Sequence, residues 1–261
     1  MSIRLSPELS ADEFVKWKQA GIDCVEIGPG RIDTAEAVAE IRKLSTQVQK
    51  WATSAGIEIW SVHVPFGKSL DISNPSEDQR QEVLRRLGGM LDAFAPLKAK
   101  KLIVHPSSEP IPPEERQVRI DTCRRSLDTL ARRARKMNVQ IALEALPRTC
   151  MGNTSREILA IVNGLDSVGI CLDTNHVFQE KVDDFIRAVG PRIVTLHIAD
   201  YDGKDEKHWL PGKGVNDWTA IASALQETGY QGPFLFECQG TPEEKVAFWK
   251  QLRQAISAPG R

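Results

Sequence analysis

A single (β/α)8 barrel, of the TIM type, is the fold class this sequence predicts, and three observations predict it. Short apolar runs alternate with amphipathic helical stretches along the 261-residue chain, which is the pattern of βαβ units on a parallel sheet. Eight such units can be counted, enough for the sheet to close on itself. Six of the runs end on one side chain competent for metal or proton chemistry: His63, His105, Glu144, Asp173, His197 and Glu237. A barrel gathers its chemistry at the C-terminal strand ends in this way.

The first strand, residues 3–5, is weak. Ser10-Ala-Asp-Glu13 has the capping-box pattern and opens a helix through Ala20, which Gly21 stops. Residues 23–28 form the second strand, with Glu26 inside it. Residues 34–55 carry a long helical pattern (Ala37, Val38, Ile41, Leu44, Val48, Trp51) ended by Gly56. The third strand, 57–64, stops at Pro65, and a helix follows within 74–97. Residues 102–105 form the fourth strand, closed by Pro106. A Ser/Pro-rich loop then leads to a basic amphipathic helix over 114–137. The fifth strand is 139–146 and its helix 154–163.

The sixth unit is the most legible. Val168-Gly-Ile-Cys-Leu-Asp-Thr-Asn-His176 is apolar up to Leu172 and then turns polar at once, as expected of a strand buried on both faces. Residues 183–189 make its short helix. The seventh strand is 193–198, and its helix, 217–228, is entered from Pro211-Gly-Lys-Gly214. Residues 234–236 form the eighth strand and 242–256 a closing helix. A doubly wound open sheet would want a Gly-rich phosphate loop after the first strand, and Leu5-Ser-Pro-Glu8 is not one. No internal repeat or linker divides residues 1–261, so one domain is expected.

Charged residues are 26% and hydrophobic residues 41%, with a net charge of -1, so composition points to no nucleic-acid partner. The arginines of the basic helix (Arg124, Arg125, Arg132, Arg133, Arg135) read either as a nucleic-acid patch or as the solvated face of a barrel helix. No apolar segment approaches the roughly 20 residues that span a bilayer, and no secretory signal is visible at Met1-Ser-Ile-Arg-Leu. Five cysteines without CxxC spacing suggest free thiols and a cytoplasmic location.

Glu144, Asp173, His197 and Glu237 fall on four consecutive strands, so their tips must be neighbours. Three carboxylates crowded into one crevice would repel each other. A divalent cation removes that difficulty, and three oxygens with one imidazole suit Mn2+ or Mg2+ first, Co2+ or Zn2+ next. Singly, each of these residues could equally be a cap or an ion pair.

Together, Glu144, Asp173-Thr-Asn-His176, His197-Ile-Ala-Asp200, His208-Trp-Leu-Pro-Gly-Lys-Gly214 and Phe-Leu-Phe-Glu237 resemble the xylose-isomerase-like barrel superfamily. Its sugar phosphate isomerases, ketose 3-epimerases and inosose-processing enzymes share this layout. The resemblance implies Glu144, Asp173, His197 and Glu237 as metal ligands, with Glu144 and Glu237 as the acid/base pair of a metal-stabilised enediolate mechanism. It places His176 and His208 against substrate oxygens, although the epimerases usually carry Arg where His208 stands. His63 and His105 are further candidates for binding sugar hydroxyls. Arg148 is a candidate for gripping a substrate phosphate or carboxylate, or else a surface ion pair. Lys213 is a similar candidate, Trp209 is a candidate stacking group, Trp60 reads as a core residue before a stacking one, and Glu26 either approaches the site or balances a nearby charge.

The expected activity is therefore that of a metal-dependent sugar or sugar phosphate isomerase or epimerase acting on a small polyol, with homo-oligomers common in the group. Two enzymatic alternatives stay open. A keto-sugar or inosose dehydratase or lyase would use the same site. A trinuclear zinc phosphodiesterase resembling endonuclease IV would use His63, His105, Glu144, Asp173, His176, His197, Glu206, His208 and Glu237, with Glu206 where that group has Asp. A non-catalytic sugar-binding barrel would not need two opposed glutamates.

Overall fold

The computed structural model describes residues 1–28 and 35–257; Thr34, which the sequence places at the head of the second helix, lies outside them. Seven strands run parallel in sequence order: β1 (Ser2–Arg4), β2 (Cys24–Gly28), β3 (Glu58–His63), β4 (Lys101–Val104), β5 (Gln140–Glu144), β6 (Val168–Asp173) and β7 (Ile193–His197). Between them lie α1 (Ala11–Ala20), α2 (Ala35–Ala55), α3 (Glu77–Phe94), α4 (Arg116–Lys136), α5 (Ser155–Val162) and α6 (Val182–Val189). After β7 come α7 (Trp218–Glu227) and α8 (Pro242–Ser257). At the head of α1 the Ser10 N–H donates to Glu13 Oε2 at 2.9 Å, and Gly21, at φ 98°, ends the helix in the left-handed region.

The expected eighth strand is not one of the sheet's strands among the described residues. Residues 234–237 instead make an isolated parallel bridge, Ile198 to Phe236. The Ile198 N–H donates to Leu235 O at 2.8 Å, Glu237 N–H to Ile198 O at 3.1 Å, and Ser2 N–H to Phe236 O at 2.9 Å. The segment thus touches Ile198, just past the end of β7, and Ser2 of β1. Pro233 at its head has no N–H to give a ladder, which limits the pairing.

β4, β5 and β6 each have two packing environments, as the two-residue period of a strand dictates; in β7 the register shift opposite Ile170 and Cys171 breaks the alternation at Val194. Leu102 and Val104, Ile141 and Leu143, Ile170 and Leu172, and Leu196 join the large core shared with the helices. Ile103, Ala142 and Cys171 form a separate small cluster with Val194, the barrel's inner wall. The inner file then continues to the strand tips: Ile103 to His105, Ala142 to Glu144, Cys171 to Asp173. A helix-side apolar residue separates each pair, so burial that fixes the register also fixes where the polar tips point. Gly169 is required here, because a Cβ would run into the Val194 side chain.

The basic helix is α4. Arg124 caps α5 by donating to the carbonyls of Ala160, Ile161 and Asn163 at 2.6, 2.9 and 2.7 Å, satisfying orphan helix-end acceptors. Arg132 and Arg133 pair with Asp128 and Asp92. Among the described residues no helix is long and apolar enough to cross a membrane. All five cysteines are free, with Cys123, Cys150 and Cys171 buried.

Candidate active site

Glu144, at the tip of β5, is the hub. Its Oε2 lies 3.1 Å from His63 Nε2 and 3.0 Å from His105 Nε2. Its Oε1 lies 3.2 Å from His197 Nδ1 and 3.5 Å from His176 Nδ1. Next to it on β6, Asp173 Oδ1 accepts the Asn175 N–H at 2.7 Å. Glu237 brings its Oε2 within 2.7 Å of His197 Nδ1. Donor atoms of Glu144, Asp173, His197 and Glu237 all lie within 4.8 Å of one another. The sequence expected these four to converge, and the described geometry brings them together.

Asp173 Oδ2 tests whether a cation fits there. It is wholly buried and has no hydrogen-bond partner, yet it lies 3.4 Å from His176 Nδ1 and 4.0 Å from His197 Nδ1. An unpaired buried acceptor costs about 1–3 kcal/mol, more if charged. Three carboxylates and one imidazole aimed at the same point are a donor set that fits a divalent ion. Among the described residues three further groups bring their donor atoms equally close: His63, His197 and Glu237; His63, His105 and Glu144; and His176, Glu206 and His208. All five histidines of the chain are in these groups.

The charges are interlocked. Burial pushes Asp173 up to about 6. Burial opposes ionisation of Glu237 too, but the adjacent His197 wins and holds it at about 2. Glu144 sits well below the usual carboxylate range, because His105 and His197 outweigh its burial. Burial lowers His63, but bonded Glu144 lifts it to about 9; Asp173 and Glu206 do the same for His176, also about 9. The hydrogen bond to Glu206 raises His208 to about 9. His105 falls below its ordinary value, its burial outweighing Glu144. Without an ion, then, protonated imidazoles balance the carboxylates. A ligating nitrogen must first lose its proton. Burial lowers His197, the one imidazole among the four, but Cys171, Glu237, Glu26 and Glu144 hold it well above its ordinary value, so at neutral pH it releases a proton as a cation enters. Affinity should rise with pH up to the shifted values, by as much as about tenfold per unit for each proton released. Calorimetric titration with Mn2+ in buffers of different ionisation enthalpy measures this, and a flat profile without proton release would refute it.

The loop after β7 is tied down by Asp200, fully buried. Its carboxylate accepts from Tyr201 N–H at 3.0 Å, Gly212 N–H at 2.9 Å, Asn216 N–H at 3.2 Å and Trp218 Nε1–H at 3.1 Å. A Cβ at Gly214 would strike the Tyr201 carbonyl and this carboxylate, which explains the glycine of the Pro-Gly-Lys-Gly turn. Asn175 Oδ1 accepts the N–H groups of Lys207 and His208 at 3.0 and 3.2 Å. It thereby supports the left-handed backbone of His208, at φ 48°, whose Nδ1–H donates to the Glu237 carbonyl at 2.9 Å.

Arg148 does not present a free guanidinium. It is held by Glu109 at 2.6 Å, by Asp205 at 2.8 Å and by Glu206, so the ion-pair alternative describes its position. Lys213 is exposed. Trp60 Nε1–H donates to Thr195 Oγ1 at 3.0 Å, which occupies its polar edge. Sequence reasoning named Asn175 and Asp200 within motifs without giving them a role, and missed Phe66. The Phe66 ring, 59% exposed, stacks on His105 with centroids 3.9 Å apart and planes at 22°. Nothing periodic in a loop announces such a residue; its spacing from His63 is the one available signal.

The profile of the xylose isomerase-like TIM barrel family covers residues 14–255, and the chain belongs to that family. Inosose isomerase of Bacillus velezensis is 26% identical over 205 residues, covering 70% of this chain and 71% of that one. Probable endonuclease 4 of Aster yellows witches'-broom phytoplasma is 25% identical over 163 residues, covering 56% and 54%. The chain spans only 53% and 63% of the length of two uncharacterised relatives. The solved structure of a D-tagatose 3-epimerase-like protein superposes with a TM-score of 0.82 at 21% identity, covering 98% and 97% of the two chains; that likeness concerns the fold.

Proposed function

We propose that this chain is a divalent-metal-dependent sugar isomerase or epimerase that moves a proton beside a carbonyl. The observation that carries the reading is the pair Glu144 and Glu237, meeting at His197 Nδ1 from β5 and from the bridged segment 234–237, beside the unpartnered oxygen of Asp173. The relationship to an inosose isomerase and the epimerase-like fold support the substrate class.

Ionising a carbon acid is the difficulty such a reaction poses. Enzymes remove about 8–23 kcal/mol from their barriers, and a placed base supplies roughly 10²–10⁴-fold, or about 3–5 kcal/mol. In this proposal one glutamate takes the carbon-bound proton and the other returns one, passing through an enediolate. His63, His105, His176 and His208 orient the polyol by hydrogen bonds to its hydroxyls. Glu144, Asp173, His197 and Glu237 would hold Mn2+ or Mg2+, whose positive charge offsets the developing oxyanion by several kcal/mol. We read residues 1–261 as one barrel, with residues 234–237 as its eighth stave, and the free thiols as fitting a cytoplasmic enzyme.

The further donor groups beside the first favour one second reading, a trinuclear zinc phosphodiesterase, and one relative bears the name probable endonuclease 4. A net charge of -1 and the engaged arginines of α4 weigh against it, because gripping several DNA phosphates wants a strongly cationic face. Proton–deuterium exchange separates the readings. The Mn2+-loaded protein, given a panel of ketoses and inososes in deuterated water, should label the carbon beside the carbonyl. Loss of water from an inosose would move the assignment to a dehydratase. No labelling of any member, with cleavage of abasic-site DNA, would overturn the proposal.

A further inference from the structure

We infer that Glu26 is a positioning residue that acts through His197, fixing which ring nitrogen faces the donor group. The inference rests on the metal site proposed above. Glu26 lies in the middle of β2 and is fully buried. Its neighbours Val25 and Ile27 pack into the core shared with the helices, whereas its own carboxylate turns the other way, toward residues of the inner file. Oε2 accepts from Ser61 Oγ–H at 2.6 Å and from His197 Nε2–H at 3.1 Å; Oε1 accepts from Ser2 Oγ–H at 3.4 Å. His197 is also fully buried, and its other nitrogen, Nδ1, is the one near Glu237, Glu144 and Asp173.

An imidazole that donates from Nε2 keeps the lone pair on Nδ1. Glu26 thus selects the tautomer able to ligate, and Ser61 and Ser2 hold the carboxylate that does so. A buried carboxylate is expensive, and a well-packed apolar residue commonly does as well for stability. Its place against a candidate ligand 171 positions away in sequence gives the cost a purpose. Outer partners of this kind are worth about 10–100-fold in metal affinity.

The test is Mn2+ affinity of wild type, Glu26→Gln and Glu26→Ala, with thermal melts of each and 15N spectra of the Mg2+-loaded proteins. Glutamine can still accept the Nε2–H through its oxygen, so Glu26→Gln should lose the smaller share of the roughly 10–100-fold and Glu26→Ala the larger. Wild type should carry its His197 proton on Nε2. A purely structural Glu26 would lower the melting temperature while leaving affinity and the His197 signal unchanged, and that result overturns the inference. If Glu26→Ala does not fold, unchanged affinity in folded Glu26→Gln together with an unshifted His197 signal overturns it. Wild type that binds no Mn2+ overturns the proposed metal site as well, which tells the two failures apart.

Discussion

Glu237→Gln should lower turnover by about 10²–10⁴-fold on whichever ketose or inosose undergoes exchange, the range expected for losing a positioned acid/base group. Glutamine has the same shape, so packing around it should survive; what disappears is a proton acceptor and one negative donor. Burial raises this carboxyl, but His197 outweighs it and holds it at about 2, leaving it ionised and ready to accept. The loss should fall chiefly on kcat, because a group used in the transition state affects the barrier more than substrate binding. Steady-state kinetics of the Mn2+-loaded variant provide the check. Full turnover would remove Glu237 from the chemistry.

Asp173→Asn should have an opposite signature on binding and on stability. Asparagine Oδ1 can still accept the Asn175 N–H that Asp173 now receives at 2.7 Å. The atom that changes is Oδ2, buried without a partner and costly as an anion, since burial already pushes this carboxyl up to about 6. Metal affinity should fall by more than the roughly 10–100-fold assigned to outer partners. The melting temperature of the metal-free protein should hold or rise, as is common when a functional site gives up an unfavourable group. A fall in both would make Asp173 a structural residue.

The strand tips were legible because they follow from period two. Once Leu143 and Leu172 are committed to the helix-side core, Glu144 and Asp173 must point inward. The ends of strands were legible from Pro65 and Pro106, and the start of α1 from its capping box. The eighth strand read as more regular than it is, since an apolar run does not reveal how few ladder bonds Pro233 leaves. Longer-range facts were beyond reach. Glu26 meeting His197, Arg148 gathering three carboxylates and Asp200 tying the loop after β7 depend on how the sheet curls. No local pattern carries that. The endonuclease-like donor set could be written down from sequence, but its convergence into overlapping groups needed coordinates.

The most direct measurement is metal content per chain after loading with Mn2+ and removal of excess, for wild type beside Asp173→Asn. The account predicts one tightly held, chelator-exchangeable ion in wild type and its loss in the variant. Wild type that retains none, or a variant that keeps its ion undiminished, would contradict the joint site of Glu144, Asp173, His197 and Glu237.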